Sequence, residues 1–156
     1  MKFRLVAVLL LGLVTAGATA PSPSLEEEVL ALTRELLEHI YVEPSADFYA
    51  AHVDPDVTAY EGPPLRVDGI AYHLFALRRA ARGSREGEER YFELLQPKVQ
   101  LLGDAAVVTG TTRVTVVRDG TFTNTFLQET RVWARRGGRW RLVHFHKSPV
   151  RWPAED

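Results

Sequence analysis

Residues 121–148 read TFTNTFLQETRVWARRGGRWRLVHFHKS, and this stretch decides the fold class. Apolar and polar residues alternate at a period of two, as at Trp140 and Leu142, which is the spacing of a strand with one buried face. Gly137-Gly138 interrupts the alternation with residues that accept positive φ, so the stretch reads as two strands, about 121–136 and 139–148, joined by a tight turn. The same period continues upstream through Val114 and Val116, where Asp119-Gly120 and Gly103-Asp104 divide it into strands at about 105–118 and 91–102. Pro97 has no amide hydrogen to give a ladder, which predicts that the first of these strands is kinked or lies at an edge.

Farther upstream the period becomes helical. Ser24 followed by Glu27 is a capping-box pattern, and Leu25, Val29, Leu32, Leu36 and Ile40 then fall on one face. Glu26, Glu27 and Glu28 occupy the first turn, where the helix dipole favours carboxylates, so the acidic run is helix chemistry rather than a metal site. Pro44 stops this helix, and a second is predicted from Ala46 to His52 with Phe48 and Tyr49 as its buried contacts. Asp54-Pro55-Asp56 reads as a chain break. Val57 to Tyr60 and Leu65 to Val67 read as short extended segments around the Gly62-Pro63-Pro64 turn, and Asp68 as the cap of a third helix from Gly69 to Arg82. Helices first and a meander second is an α+β order: three N-terminal helices packed on one face of a curved antiparallel sheet. Strands this long must twist, and a twisted sheet curled over helices makes a cone with space at its open end.

Lys2 and Arg4 precede the apolar run Leu5 to Val14, which leads to Ala18-Thr19-Ala20. That order is a secretory signal peptide over residues 1–20, leaving 21–156 as a single domain, exported to the periplasm or secreted. The apolar run is shorter than the roughly 20 residues a membrane span needs, so no stable span is expected after cleavage. Two of the 19 basic residues lie in the leader, leaving 17 against 20 acidic ones, a net charge of −3 with histidines neutral. A nearly balanced domain without a dense basic stripe argues against nucleic acid as a partner. The chain has no cysteine, so neither disulfides nor thiolate chemistry contribute.

Thr58-Ala59-Tyr60-Glu61, Tyr72-His73, Glu129-Thr130-Arg131-Val132-Trp133, Arg136, Trp140 and Val143-His144-Phe145-His146-Lys147-Ser148 are together similar to the association (hub) domain of calcium/calmodulin-dependent protein kinase II. The resemblance runs from the first helix to Ser148, and its specific part is the C-terminal third, where the pieces recur in order at matching spacing. It implies the cone of the nuclear-transport-factor-2-like superfamily, self-association into a homodimer or larger homo-oligomer, and a cavity lined by arginines. Positions matching Arg113, Arg131, Lys147 and His73 line the pocket in that family. No kinase domain and no calmodulin-binding segment is read in these residues, so the resemblance carries the scaffold and not the signalling. The Asp119-Gly120 hairpin is shorter than in the kinase hub, and Lys147 stands where many hubs have arginine or cysteine, which bears on oligomer size.

Arg113 and Arg131 each sit mid-strand among apolar and threonine neighbours. Two guanidinium forks converging on a carboxylate or phosphate in a poorly hydrated cavity would explain such a pair. The alternative is that each lies on a solvated strand face or pairs with a carboxylate such as Glu129. A strict two-residue turn at Asp119-Gly120 sets Arg113 opposite Phe126 and Arg131 opposite Val108, which places the two arginines on opposite faces. A shared pocket therefore requires a three-residue turn or a bulge between these strands.

His73, one turn from Leu77, points into the cone or serves as a hydrogen-bonded packing residue. Tyr60 and Tyr72 offer hydroxyls at the pocket rim, although their rings suit packing equally well. His144-x-His146 puts two imidazoles on one strand face, but with no third ligand at suitable spacing a hydrogen-bond network or an interface explains them better than a metal. No nucleophile motif, phosphate loop or dinucleotide fingerprint is present, and no cofactor is expected. The candidates for a general base are His73, Asp56 and Glu61, the last two with turn roles of their own. The sequence thus reads as a self-associating module with a basic pocket for a small carboxylate-type anion. The alternatives are an isomerase, dehydratase or cyclase-like enzyme using general acid–base catalysis, and a purely structural exported assembly protein.

Overall fold

Asp119 and Gly120 both take positive φ, 49° and 74°, in the computed structural model of the chain. Two left-handed residues make the tight hairpin turn whose twist matches that of the flanking strands. The register they impose runs without a break from Arg118↔Thr121 to Ala105↔Ala134, between β4 (Ala105–Arg118) and β5 (Thr121–Arg136). The structure describes residues 22–61, 65–83 and 87–150. The leader read at 1–20 and the Gly62-Pro63-Pro64 turn lie outside them.

Three helices and four further strands complete the fold. Helix α1 (Leu25–Tyr41) has both halves of its capping box, Ser24 N donating to Glu27 Oε2 at 2.7 Å and Glu27 N donating to Ser24 Oγ at 3.2 Å. Helix α2 (Ala46–His52) is capped by Ser45, whose Oγ accepts from Phe48 N. Then come β1 (Val53–Glu61), β2 (Arg66–Asp68), α3 (Ala71–Arg82) and β3 (Glu89–Leu102), with β6 (Arg139–Pro149) after β5. Asp54-Pro55-Asp56 does not break the chain; β1 carries it as an irregularity in its pairing with β6, between Val53 and Thr58. Asp68 does not cap α3. The cap position is Ile70, without a side-chain bond, and Asp68 Oδ1 instead accepts from Arg66 Nε at 2.8 Å.

The six strands form one sheet in the order β2-β1-β6-β5-β4-β3. It is mixed rather than purely antiparallel, because β1 runs parallel to β6. The helices cover one face. Val29 and Leu36 of α1, Tyr49 of α2 and Leu77 of α3 pack there on Val53, Val57, Ala59, Ala106, Val108, Trp133 and Leu142 of the sheet.

Besides the irregularity in β1, two bulges shape that sheet. On the edge strand β3 the pairing jumps from Leu95↔Thr111 to Lys98↔Thr109, so Gln96, at φ 48°, and Pro97 face Gly110 alone. A Cβ on Gly110 would come within 3.1 Å of Leu94 Cδ1 and 3.2 Å of the Leu95 carbonyl, so a side chain there would make both neighbours give way by a few tenths of an ångström. The second bulge lies between β5 and β6, where Trp133 pairs with Leu142 but Val132 pairs with His144, leaving Val143 as the extra residue. It reverses the alternation of β6. Trp140 and Leu142 are buried before it, and Phe145 after it, with Lys147 two residues on facing the same way.

Replacing Gly120 by alanine keeps the turn only by forcing a Cβ into the left-handed region. The expected cost is about 1 kcal/mol of stability in equilibrium urea unfolding.

Candidate functional site

A cavity of about 100 Å³ lies between the helices and the covered face of the sheet, lined by residues that include Tyr41, Tyr49, Glu61, His73, Arg131, Phe145 and Lys147. The sheet supplies its charged wall by register alone. Glu61 of β1 pairs with Lys147 of β6, and Lys147 pairs in turn with Glu129 of β5. Arg131, two residues beyond Glu129 on the same face, pairs with Phe145. From the other side come Tyr41 of α1, Tyr49 of α2, and Tyr72 and His73 of α3.

Arg131 is 2% exposed and Glu129 6%. Arg131 Nε donates to Glu129 Oε2 at 2.8 Å and Nη2 donates to the same oxygen, while Tyr41 Oη donates to Glu129 Oε1 at 3.0 Å. Burial pulls the guanidinium pKa down, but the Glu129 carboxylate, with Tyr41 and Tyr49 beside it, outweighs this and leaves it above its usual value. The Arg131 guanidinium carbon also lies 5.5 Å from the centroid of the Phe145 ring. Lys147 Nζ is 3.4 Å from Glu61 Oε1, and His73 Nδ1 is 3.5 Å from the same oxygen. Each cation of the cavity therefore faces a carboxylate.

His73 is 5% exposed, and burial holds its ring below the usual histidine value, helped by Lys147 and opposed by Glu61. Burial likewise pushes up the hydroxyls of Tyr41 and Tyr49. Tyr49 Oη, His73 Nε2 and Arg131 Nη1 are buried without a hydrogen-bond partner among the described residues. All three belong to residues lining this one cavity.

Arg131, Lys147 and His73 are thus brought together, as is Glu61. Arg113 and Tyr60 are not. Arg113 pairs with Phe126 in the unbroken β4–β5 register, its neighbours Thr112 and Val114 are buried, and its own side chain, 43% exposed, bonds Glu93 across the outer face. The bulge that a shared pocket would need does not exist between these strands. Tyr60 lies between Ala59, in the core, and Glu61, at the cavity, so it points outward; it is 44% exposed with its ring edge-on to His144 and His146. On the same outer face Thr58 Oγ1 and His144 Nδ1 are 2.7 Å apart. Asp56 is exposed and does not line the cavity. Sequence reasoning missed the cavity roles of Tyr41 and Tyr49, which were legible only as helix-face aromatics. The signal for Glu129 was its place two residues before Arg131.

The family model for the calcium/calmodulin dependent protein kinase II association domain matches residues 25–151. The chain belongs to this family. It is 35% identical over 129 residues to calcium/calmodulin-dependent protein kinase type II subunit delta of Oryctolagus cuniculus, a match covering 79% of this chain and 23% of that protein. The chain spans about a quarter of the length of the curated relatives it matches. Among solved structures, the hub homology domain of Chlamydamonas reinhardtii is 29% identical with a TM-score of 0.73, covering 83% of this chain and all of that one. A nuclear-transport-factor-2-like protein of Pseudomonas putida, 20% identical, has a TM-score of 0.68 over 83% of this chain and 89% of its own, which shows the shared cone fold alone.

Truncating Glu129 to alanine leaves the enclosed Arg131 charge unpaired, with an expected loss of about 3–5 kcal/mol in urea unfolding. Arg113→Ala, on the outer face, is expected to cost at most about 1 kcal/mol in the same assay. The lowered His73 value has a sign of its own. As pH falls below 6.5 the unfolded ring gains its proton before the folded one, so stability is unaffected above that pH and declines below it. In urea midpoints taken at pH 7.5 and 5.0, His73→Gln should fall less than the parent.

Proposed function

We propose that this chain is an exported, self-associating hub subunit whose cone holds a small monocarboxylate. The observation that carries the pocket is that Arg131, His73 and Tyr49 all line one cavity of about 100 Å³, and each has a buried polar atom, Nη1, Nε2 and Oη, unpartnered among the described residues. Buried polar atoms left without partners are costly, and a ligand or ordered water that supplies oxygens relieves the cost. The space of about 100 Å³ is enough for a small acid such as propionate. Arg131 offers the carboxylate a charge-assisted bond, and the apolar tail is left to Leu77 and Phe145.

Self-association is supported by membership of an association-domain family and by large apolar side chains left on the surface. Tyr91 and Phe122, 52% and 70% exposed, stand on the outer face of the sheet, and Phe75 stands exposed on α3. Export to the periplasm or out of the cell is supported by Lys2 and Arg4 ahead of Leu5–Val14 and by Ala18-Thr19-Ala20. Among the described residues no helix is long and apolar enough to cross a membrane.

Acid–base chemistry has one observation in its favour, the approach of His73 Nδ1 to Glu61 with Nε2 unpartnered at the cavity. Deuterium entering C3 of pyruvate in heavy water, abolished by His73→Gln, would mark that second reading.

Two measurements check the first reading. Native mass spectrometry of the protein lacking residues 1–20 is expected to give more than one subunit. Millimolar propionate is expected to raise Tm in the parent and much less in Lys147→Gln and Arg131→Gln. A scan of acetate, propionate and butyrate without any shift would reject the carboxylate pocket.

A further inference from the structure

We infer that carboxylate binding in this cavity takes up a proton, which is held on Nε2 of His73, so that the site receives the acid rather than the bare anion. This rests on the carboxylate reading above and names what controls it.

The first ground is charge. Arg131 is committed to Glu129 through Nε and Nη2, and Lys147 stands 3.4 Å from Glu61. A carboxylate entering between them is a third negative charge against two positive ones, in a space where burial strengthens every such imbalance. Among the described residues no fixed cation to spare lines the cavity: Arg113, which the sequence offered for that place, is on the outer face with Glu93.

The second ground is direction. His73 Nδ1 faces Glu61 Oε1 at 3.5 Å, and a carboxylate on that side favours the ring proton on Nδ1, which in the neutral ring leaves Nε2 as a lone pair. Nε2 is buried without a hydrogen-bond partner among the described residues, in a ring that lines the cavity. A lone pair facing a carboxylate oxygen repels it; with a proton, the same nitrogen donates.

The groups around the ring leave it as the place for that proton. Glu61 of β1 and Lys147 of β6 already face each other, and Arg131 of β5 is held charged by Glu129. Tyr41 of α1 and Tyr49 of α2 have hydroxyls pushed upward by burial, so they stay protonated throughout. Tyr72, its neighbour on α3, meets the ring edge-on at 5.5 Å. Burial first, opposed by Glu61 and aided by Lys147, holds the empty-site ring below its usual value, and a bound carboxylate works in the opposite direction.

The test is calorimetric titration of propionate into the parent protein between about pH 5.5 and 8.0, in two buffers of different ionisation enthalpy. The expected result near pH 7 is uptake of about one proton per propionate, with Kd weakening by up to about tenfold per pH unit between the ring's free and bound values. His73→Gln is expected to bind with no proton uptake and a flat pH profile. Glu61→Gln removes one carboxylate from the balance and is expected to bind more tightly at pH 8 with reduced uptake. Binding that is independent of pH and releases or takes up no proton overturns this inference and leaves the carboxylate pocket standing. Uptake that persists unchanged in His73→Gln overturns it too. No binding at any pH rejects the pocket itself, and this inference with it.

Discussion

The Arg131–Glu129 pair constrains the rest of the cone. A guanidinium 2% exposed cannot be left alone, and its carboxylate lies two residues away on the same strand face, so the two are delivered together whenever β5 presents that face to the helices. Tyr41 then holds the second oxygen of Glu129 from α1, which ties the first helix to the middle of the sheet. What the pair does not use is Arg131 Nη1, and that surplus donor gives the cavity its polarity. The same bonds that make the interior tolerable therefore make it capable of recognition.

Parity decides which other groups join them. In a strand every second residue faces the core, so one extra residue exchanges the two faces. Val143 is that residue in β6. Ahead of it Trp140 and Leu142 fill the core; beyond it Phe145 lies under Arg131 and Lys147 reaches Glu61. Without the bulge His144 and His146 would enter the cavity and Lys147 would leave it. On the neighbouring hairpin the opposite holds, because an unbroken register keeps Arg113 outside.

Much of this was legible in the sequence. Glycine-bearing turns and the change from helical to two-residue period located three helices, three long strands and one shorter one, since both signals are local. The Asp119-Gly120 turn even carried the register that separates Arg113 from Arg131, and the break that a pocket shared by both would have required is absent. The parallel pairing of β1 with β6 was not legible, because its partners are more than 80 residues apart and no local residue type announces it. Nor was the Val143 bulge, which sits between Leu142 and His144 without a glycine to mark it. Lys147, offered through family resemblance, lies at the cavity, whereas Tyr60, offered as a rim hydroxyl, is turned outward by the strand parity that buries Ala59.

A carboxylate in the space beside Arg131 is seen most directly in a crystal structure of the protein grown with saturating propionate. Carboxylate oxygens are expected within hydrogen-bonding distance of Arg131 Nη1 and His73 Nε2, with the Arg131–Glu129 pair intact. Ordered water alone in that space, or propionate bound only on the outer face, would contradict that placement.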